Sequence, residues 1–295
     1  MSASQIVDAF ITSVGQTGYL INYMGSNAYI TKMLIDGVSS AIQDQASVNC
    51  SFTSAGGTVV QHSTSALSPD DQYLLFGYED PILGSVLNIV DAQTMELLTS
   101  VPVPESEIYG YAFTGDSKRV ITLGQNLQVP IIFLDGENSY MEHKFDIYPG
   151  SYSGSYNPID GLFYVLGDHY YMYKVDPFTG EILETIDMDI PGSTNYRVAI
   201  DQQGVPLVLT SSSMEYDGIS YPMPGISSEL IYNQDYDLFI SPVPGPDVIC
   251  VFNPLQVGIQ TYYPGKESDV FVFPNPAKDM VSIRSAGKIK GNINL

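Results

Sequence analysis

The feature that most constrains this chain is a turn that recurs at a nearly fixed interval. A run of apolar residues ends in Asp or Asn, a short turn follows, and a new strand-like run leaves it. Copies end at Asp91, Asp135, Asp176 and Asn253, after the runs that start at Val86, Ile131, Tyr171 and Val248. An earlier copy runs from Lys32 to Asp36, and a worn one from Met214 to Asp217. The closing residues are separated by 55, 44, 41, 41 and 36 positions. Four short strands with their turns need about 40–45 residues.

Each interval can be filled with four strand candidates. In the second unit these are Thr64–Ser68, Tyr73–Tyr78, Val86–Val90 and Glu96–Val101. The third repeats the order with Tyr109–Phe113, Arg119–Leu123, Ile131–Leu134 and Tyr140–Ile147. The fourth has Tyr152–Tyr156, Leu162–Leu166, Tyr170–Val175 and Glu181–Met188. The fifth starts with Tyr196–Ile200 and Pro206–Thr210 and then becomes irregular. The sixth has Ser228–Tyr232, Asp237–Ile240, Val248–Phe252 and Gly258–Tyr262, and the first begins at Ala9–Val14. Between first and second strands stand Pro69-Asp70-Asp71, Thr114-Gly115-Asp116, Pro158 to Gly161, Asp201 to Gly204 and Asn233 to Asp235. Pro presets φ, Gly admits positive φ, and Asx side chains bond local amides. The recurring Asp is therefore read as a turn former and not as a row of functional carboxylates.

Composition agrees. The 295 residues include 22 Tyr, 12 Phe, 26 Gly and 19 Pro, with 44% hydrophobic residues, a make-up suited to pleated strands and tight turns. Six meandering four-stranded units cannot each bury two sheet faces alone, but stacked blades can. Second strands such as Leu74-Leu75-Phe76 and Phe163 to Leu166 are apolar on consecutive positions, as expected of strands covered on both faces. The expected class is all-β: a propeller of four-stranded antiparallel blades spanning residues 1–266, six-bladed, with seven blades as the alternative. The stretch Ser47–Ser65 breaks the spacing and has room for a degenerate seventh blade or a closure segment.

Two resemblances follow. Asn88-Ile89-Val90-Asp91 with Thr94 and Glu96, and Tyr173-Lys174-Val175-Asp176-Pro177-Phe178-Thr179-Gly180-Glu181, resemble the repeat of YVTN and quinoprotein-like propellers. That group includes scaffolds, surface-layer proteins, lactonases and quinone-dependent dehydrogenases, so the resemblance implies a fold and not one function. In the segment 267–295, the motif Phe273-Pro274-Asn275-Pro276-Ala277-Lys278-Asp279, followed by alternating Val281 and Ile283, resembles the start of a type A sorting domain of the Bacteroidota type IX secretion system. It is cut short at Leu295, so it is expected to be disordered or packed on the propeller as an extra strand. The resemblance implies an extracellular or outer-surface address and a partner in the secretion machinery, with the signal peptide trimmed from this chain.

Charge narrows the partners. The net charge is −22, and 31 of the 33 acidic residues fall in residues 1–268, against 7 of the 11 basic ones. An acidic body repels phosphate backbones, which argues against nucleic acid. No apolar run approaches the roughly 20 residues that cross a bilayer, so membrane insertion is not expected. Cys50 and Cys250 form no metal-ligand spacing. They read either as buried thiols or as a bond closing a loop of about 200 residues, worth about 4–5 kcal/mol in a chain-entropy treatment. Export, as the sorting resemblance implies, would permit that bond.

Catalytic patterns are sparse. His62, His143 and His169 lie far apart, and neither HExxH nor GxSxG occurs. The pairs Asp70/Asp71, Asp187/Asp189 and Asp235/Asp237 do not match a calcium loop, although they admit incidental calcium. The aromatics are more suggestive. Tyr109, Tyr152 and Tyr196 stand at equivalent places, at or just before a first strand, which in a propeller lines the channel. Asp168 and His169 belong to a second-to-third connection expected on the same face. Exposed rings stack on sugars or anchor proteins, and the alternative is packing between blades. The leading expectation is a binding or scaffold module for a glycan, a matrix polymer or a protein. A lactonase- or quinoprotein-like enzyme and a structural subunit of a surface layer or filament are the alternatives.

Overall fold

The chain folds, in a computed structural model, into six four-stranded antiparallel sheets arranged as a six-bladed β-propeller. The structure describes residues 6–12, 15–24, 27–35, 40–49, 65–80, 84–104, 108–124, 127–147, 151–167, 171–188, 197–225, 230–233, 236–243, 248–254 and 259–262.

Each blade is four consecutive strands in chain order. Blade 1 holds β1 (Ile6–Ile11), β2 (Thr17–Met24), β3 (Asn27–Ile35) and β4 (Ser40–Asn49). Blade 2 holds β5 (Ser65–Leu67), β6 (Tyr73–Asp80), β7 (Gly84–Asp91) and β8 (Leu97–Val103). Blade 3 holds β9 (Ile108–Phe113), β10 (Arg119–Gly124), β11 (Gln128–Phe133) and β12 (Tyr140–Asp146). Blade 4 holds β13 (Ser151–Asn157), β14 (Leu162–Gly167), β15 (Tyr171–Val175) and β16 (Ile182–Asp187). Blade 5 holds β17 (Arg197–Ile200), β18 (Pro206–Leu209), β19 (Ser213–Tyr216) and β20 (Ile219–Pro222). Blade 6 holds β21 (Ile231–Asn233), β22 (Leu238–Val243), β23 (Val248–Phe252) and β24 (Ile259–Tyr262).

Turn chemistry sets the blade pattern. Between first and second strands, the fourth residue after the strand end has positive φ in all six blades: Gly15, Asp71, Ser117, Gly161, Gly204 and Asp237. In blades 1 to 5 its amide closes a tight turn on a residue three or four positions earlier, as in Asp71 N–H to Ser68 O and Ser117 N–H to Thr114 O, both at 2.9 Å. Polar side chains at the turn start then accept from amides that the turn leaves unpaired. Thr114 Oγ1 accepts from Arg119 N at 3.0 Å, and Asp201 Oδ1 from Val205 N at 2.7 Å.

The outer turns, between third and fourth strands, are the Asx turns expected from sequence. Asp91 Oδ1 accepts from the amides of Gln93 and Thr94 at 2.8 and 2.7 Å, and Asp176 Oδ1 from Phe178 N at 2.7 Å. Two copies differ. Asp135 makes no capping bond through its side chain and precedes a 3-10 turn, Gly136–Asn138, closed by Ser139. Asp217-Gly218, both at positive φ, forms a two-residue hairpin between β19 and β20, so the irregular fifth unit is a complete blade.

Among the described residues, five apolar cores fill the joints between blades 1 and 2, 2 and 3, 3 and 4, 4 and 5, and 5 and 6. Second and third strands supply most of them, which is why Leu74, Leu75 and Phe76 are all fully buried: alternate residues enter joints on opposite sides of the blade. Cys250 is buried in the joint between blades 5 and 6, and Cys50 lies outside the described residues. The stretch considered for a seventh blade lies largely outside them too, as does the motif Phe273–Asp279.

Candidate functional site

First strands of neighbouring blades lie alongside one another, β9 by β13 and β13 by β17, so they form the inner wall of the ring. Strand direction then sorts the loops. The upper face carries the starts of first strands and the second-to-third connections. The lower face carries both sets of turns described above.

On the lower face many tyrosines work as ties. Tyr19 donates to Ala92 O at 2.8 Å across the joint between blades 1 and 2, and Tyr73 accepts from Gly136 N at 3.2 Å across the next. Tyr164 donates to Asp160 at 2.7 Å, Tyr216 to Asp201 at 2.6 Å and Tyr232 to Asp237 at 2.6 Å. Burial, followed by these carboxylate bonds, holds the Tyr216 and Tyr232 hydroxyls protonated far above the ordinary tyrosine range. Asp116 is held below the usual carboxylate range. Burial pushes it up, but the Thr114 hydroxyl, the Lys118 amide and the Arg119 charge together outweigh that. Arg119 forms a two-pronged pair with Glu142, at 2.7 and 3.0 Å, and lies over the rings of Phe133 and Phe178. These groups satisfy one another and hold turns.

The upper face is built differently. In blades 3 and 4 the first strand carries a β-bulge at its second residue. Gly110 pairs with Leu123 and Ile108 with Gly124, leaving Tyr109 as the extra residue. Ser153 pairs with Leu166 and Ser151 with Gly167, leaving Tyr152 in the same role. Blade 1 repeats the bulge at Val7. A bulge shifts the two-residue alternation, so the residues on either side of it can face opposite joints. Blade 4 shows the consequence. Ser151 Oγ accepts from Gly124 N of blade 3 at 3.2 Å, and Ser153 Oγ from Val198 N of blade 5 at 3.1 Å. Both serines are buried, and Tyr152 stands between them as the residue that the ladder register skips. In blade 3, Ile108 is likewise buried against Gly77 of blade 2, where an added Cβ would come within 2.5 Å of its side chain.

The candidates named from sequence thus divide. Tyr109 is half-buried on the inner wall at the upper face, and the backbone of Tyr152 occupies the matching position one blade on. Tyr196, Asp168 and His169 lie outside the described residues, as does His62. Arg197, the first residue of β17, stands beside the place of Tyr196 and is half-buried, a cationic group the sequence reading did not single out. His143 sits in the outer strand β12 and packs at the turn of blade 4, its Cβ 3.0 Å from where a Cβ on Gly180 would stand. Among the described residues no three or more His, Cys, Asp or Glu side chains come together as metal ligands, and no helix is long and apolar enough to cross a membrane. The bulges and their flanking serines were missed. The signal available was Ser-Tyr-Ser opposite a Leu-Gly strand end.

No protein-family model and no curated protein matches the chain. Among solved structures it is similar to Kuenenia stuttgartiensis hydrazine synthase, with a TM-score of 0.65 at 12% identity, over 86% of this chain and 78% of that one. That likeness carries the propeller fold.

Proposed function

We propose that this propeller is a binding module that engages a glycan, a matrix polymer or an extracellular protein at its upper face. The observation that supports this is the bulge that places Tyr109 and Tyr152 at matching points of adjacent blades on the inner wall. Bulges re-aim side chains next to binding sites, and aromatic rings give sequence-tolerant stacking and hot-spot contacts. Tyr196, Asp168 and His169, which lie outside the described residues, would belong in this reading to the same site. In this reading the segment 267–295 is a sorting module for type IX secretion, which sets the protein outside the cell or on its outer surface.

A second reading, an enzyme, is favoured by one observation: the similar solved structure bears an enzyme's name. A glycan array together with a panel of matrix proteins discriminates them. The binding reading expects retained ligand that is lost in Tyr109→Ala and Tyr152→Ala. Turnover of a lactone or a quinone-dependent alcohol by the wild-type chain, with no ligand retained, would overturn it.

A further inference from the structure

In blades 2 to 5 the second strand is buried on consecutive residues, as in Val120–Gly124 and Phe163–Gly167. Blades 1 and 6 break that rule. In β2 and β3, Tyr19, Ile21, Ala28 and Ile30 are buried against blade 2, whereas Leu20, Tyr29 and Met33, on the opposite face, stay half-exposed. In blade 6, Phe239, Cys250 and Phe252 are buried against blade 5. On its other face Ile231, Ile240 and Val251 pair across three strands, with Ile231 at 55% exposure and Ile249 at 37%. Both half-exposed faces border the joint where the last blade meets the first. The blade 6 face is apolar, and the blade 1 face mixes Leu20, Tyr29 and Met33 with Asn22 and the buried Thr31. Asn22 pairs with Tyr29 on the same face of blade 1, and its buried Oδ1 has no hydrogen-bond partner among the described residues. Such an atom is costly to bury unless something donates to it.

We propose that the joint between blades 1 and 6 is the docking place of the chain's own residues 267–283, which lie outside the described residues. Position favours them. β24, the outermost strand of blade 6, ends at Tyr262. The residues from 263 to 268 span at most about 20 Å, whereas the four strands of a blade cover about 14 Å from edge to edge. Chemistry favours them as well. Val270-Phe271-Val272-Phe273 offers apolar side chains on both faces of an extended segment, together with backbone N–H groups of the kind Asn22 Oδ1 lacks. The inference does not depend on the export reading, since the same segment can seal the ring whether or not it is also read by a secretion machinery.

Hydroxyl-radical footprinting of the full chain tests it. Met33 reports on the joint, and Met141, 40% exposed on the outer strand of blade 3, is the reference. A variant with Val270, Phe271, Val272 and Phe273 all changed to Ser alters no residue of the six blades. The expected result is several-fold faster oxidation of Met33 in that variant, with Met141 unchanged. Equal Met33 rates in both chains would overturn the proposal, because blade 6 would then seal the joint alone. Protection of Met33 that depends on protein concentration would overturn it in favour of a second copy. As an independent arm, a photo-crosslinker at Leu20 should map to residues 267–283 of the same chain. Crosslinks confined to β22 and β23 would contradict it.

Discussion

Tyr109 and Tyr152 occupy the same point of neighbouring blades: each is the extra residue of a β-bulge at the second position of an innermost strand. The bulge at Tyr152 also divides its flanking serines between two joints, Ser151 bonding Gly124 of blade 3 and Ser153 bonding Val198 of blade 5. The geometry of the proposed site and the cohesion of the ring therefore depend on the same few residues.

Those two bonds give the first prediction. Ser151→Ala leaves the Gly124 amide without its acceptor, and Ser153→Ala does the same to Val198. A buried unpaired amide costs about 1–3 kcal/mol. Denaturant unfolding of each variant should show a loss in that range. Unchanged midpoints for both would mean the serines do not hold the joints.

The positive-φ position of the inner turns separates two costs. Gly15→Ala, at φ +69° with no atom within 4 Å of the new Cβ, should cost only the backbone penalty of about 1 kcal/mol. Gly204→Ala, at φ +82°, sets its Cβ 3.0 Å from Asn157 Oδ1 and Ile159 and presses on the bond from Asn157 Nδ2 to Gly204 O. It should be the more damaging of the two, as thermal unfolding can establish. Equal effects would mean that Asn157 and Ile159 yield freely.

Much of the blade order was legible in sequence because turn residues are local. Asp91 and Asp176 bond amides two and three residues away, so their role needs no knowledge of the fold. The fifth blade read poorly because its outer turn is a two-residue hairpin at Asp217-Gly218, in place of the longer Asx turn. The bulges at Tyr109 and Tyr152 were not legible, since a bulge is a relation between a strand and its partner's register. Nor could sequence sort the tyrosines. Tyr73 and Tyr216 hold turns on the lower face, and nothing local in their sequence sets them apart from Tyr109 on the upper one.

Asp201 is the clearest case of a turn carboxylate used beyond its turn. It accepts from Gln203 N and Val205 N through one oxygen and from Tyr216 through the other, while 1% exposed. Asp201→Ala should cost more than Tyr216→Phe. In a double-mutant cycle the pair should couple by about 0.5–3 kcal/mol, as groups in one hydrogen-bond network do. Additive effects would show that the Tyr216 hydroxyl contributes nothing through Asp201.

The same ties set the alkaline limit. The folded chain holds the Tyr216 and Tyr232 protons more tightly than the unfolded chain does, so their contribution is fully present below the ordinary tyrosine pKa of about 10. It is lost as pH rises toward their raised folded values. Unfolding free energy should therefore fall progressively above about pH 10, and the fall should be shallower in a Tyr216→Phe, Tyr232→Phe chain. A pH profile identical to wild type would contradict this.

The most direct test of the account is a binding titration, with a ligand retained from the array, of the wild-type chain, a Tyr109→Ala, Tyr152→Ala chain and a lower-face control, Phe178→Ala. Each ring is expected to contribute about 0.5–1.5 kcal/mol beyond its buried area. The double variant should therefore bind about tenfold or more weakly, while the control matches wild type. Full affinity in the double variant, or loss confined to Phe178→Ala, would contradict an upper-face site.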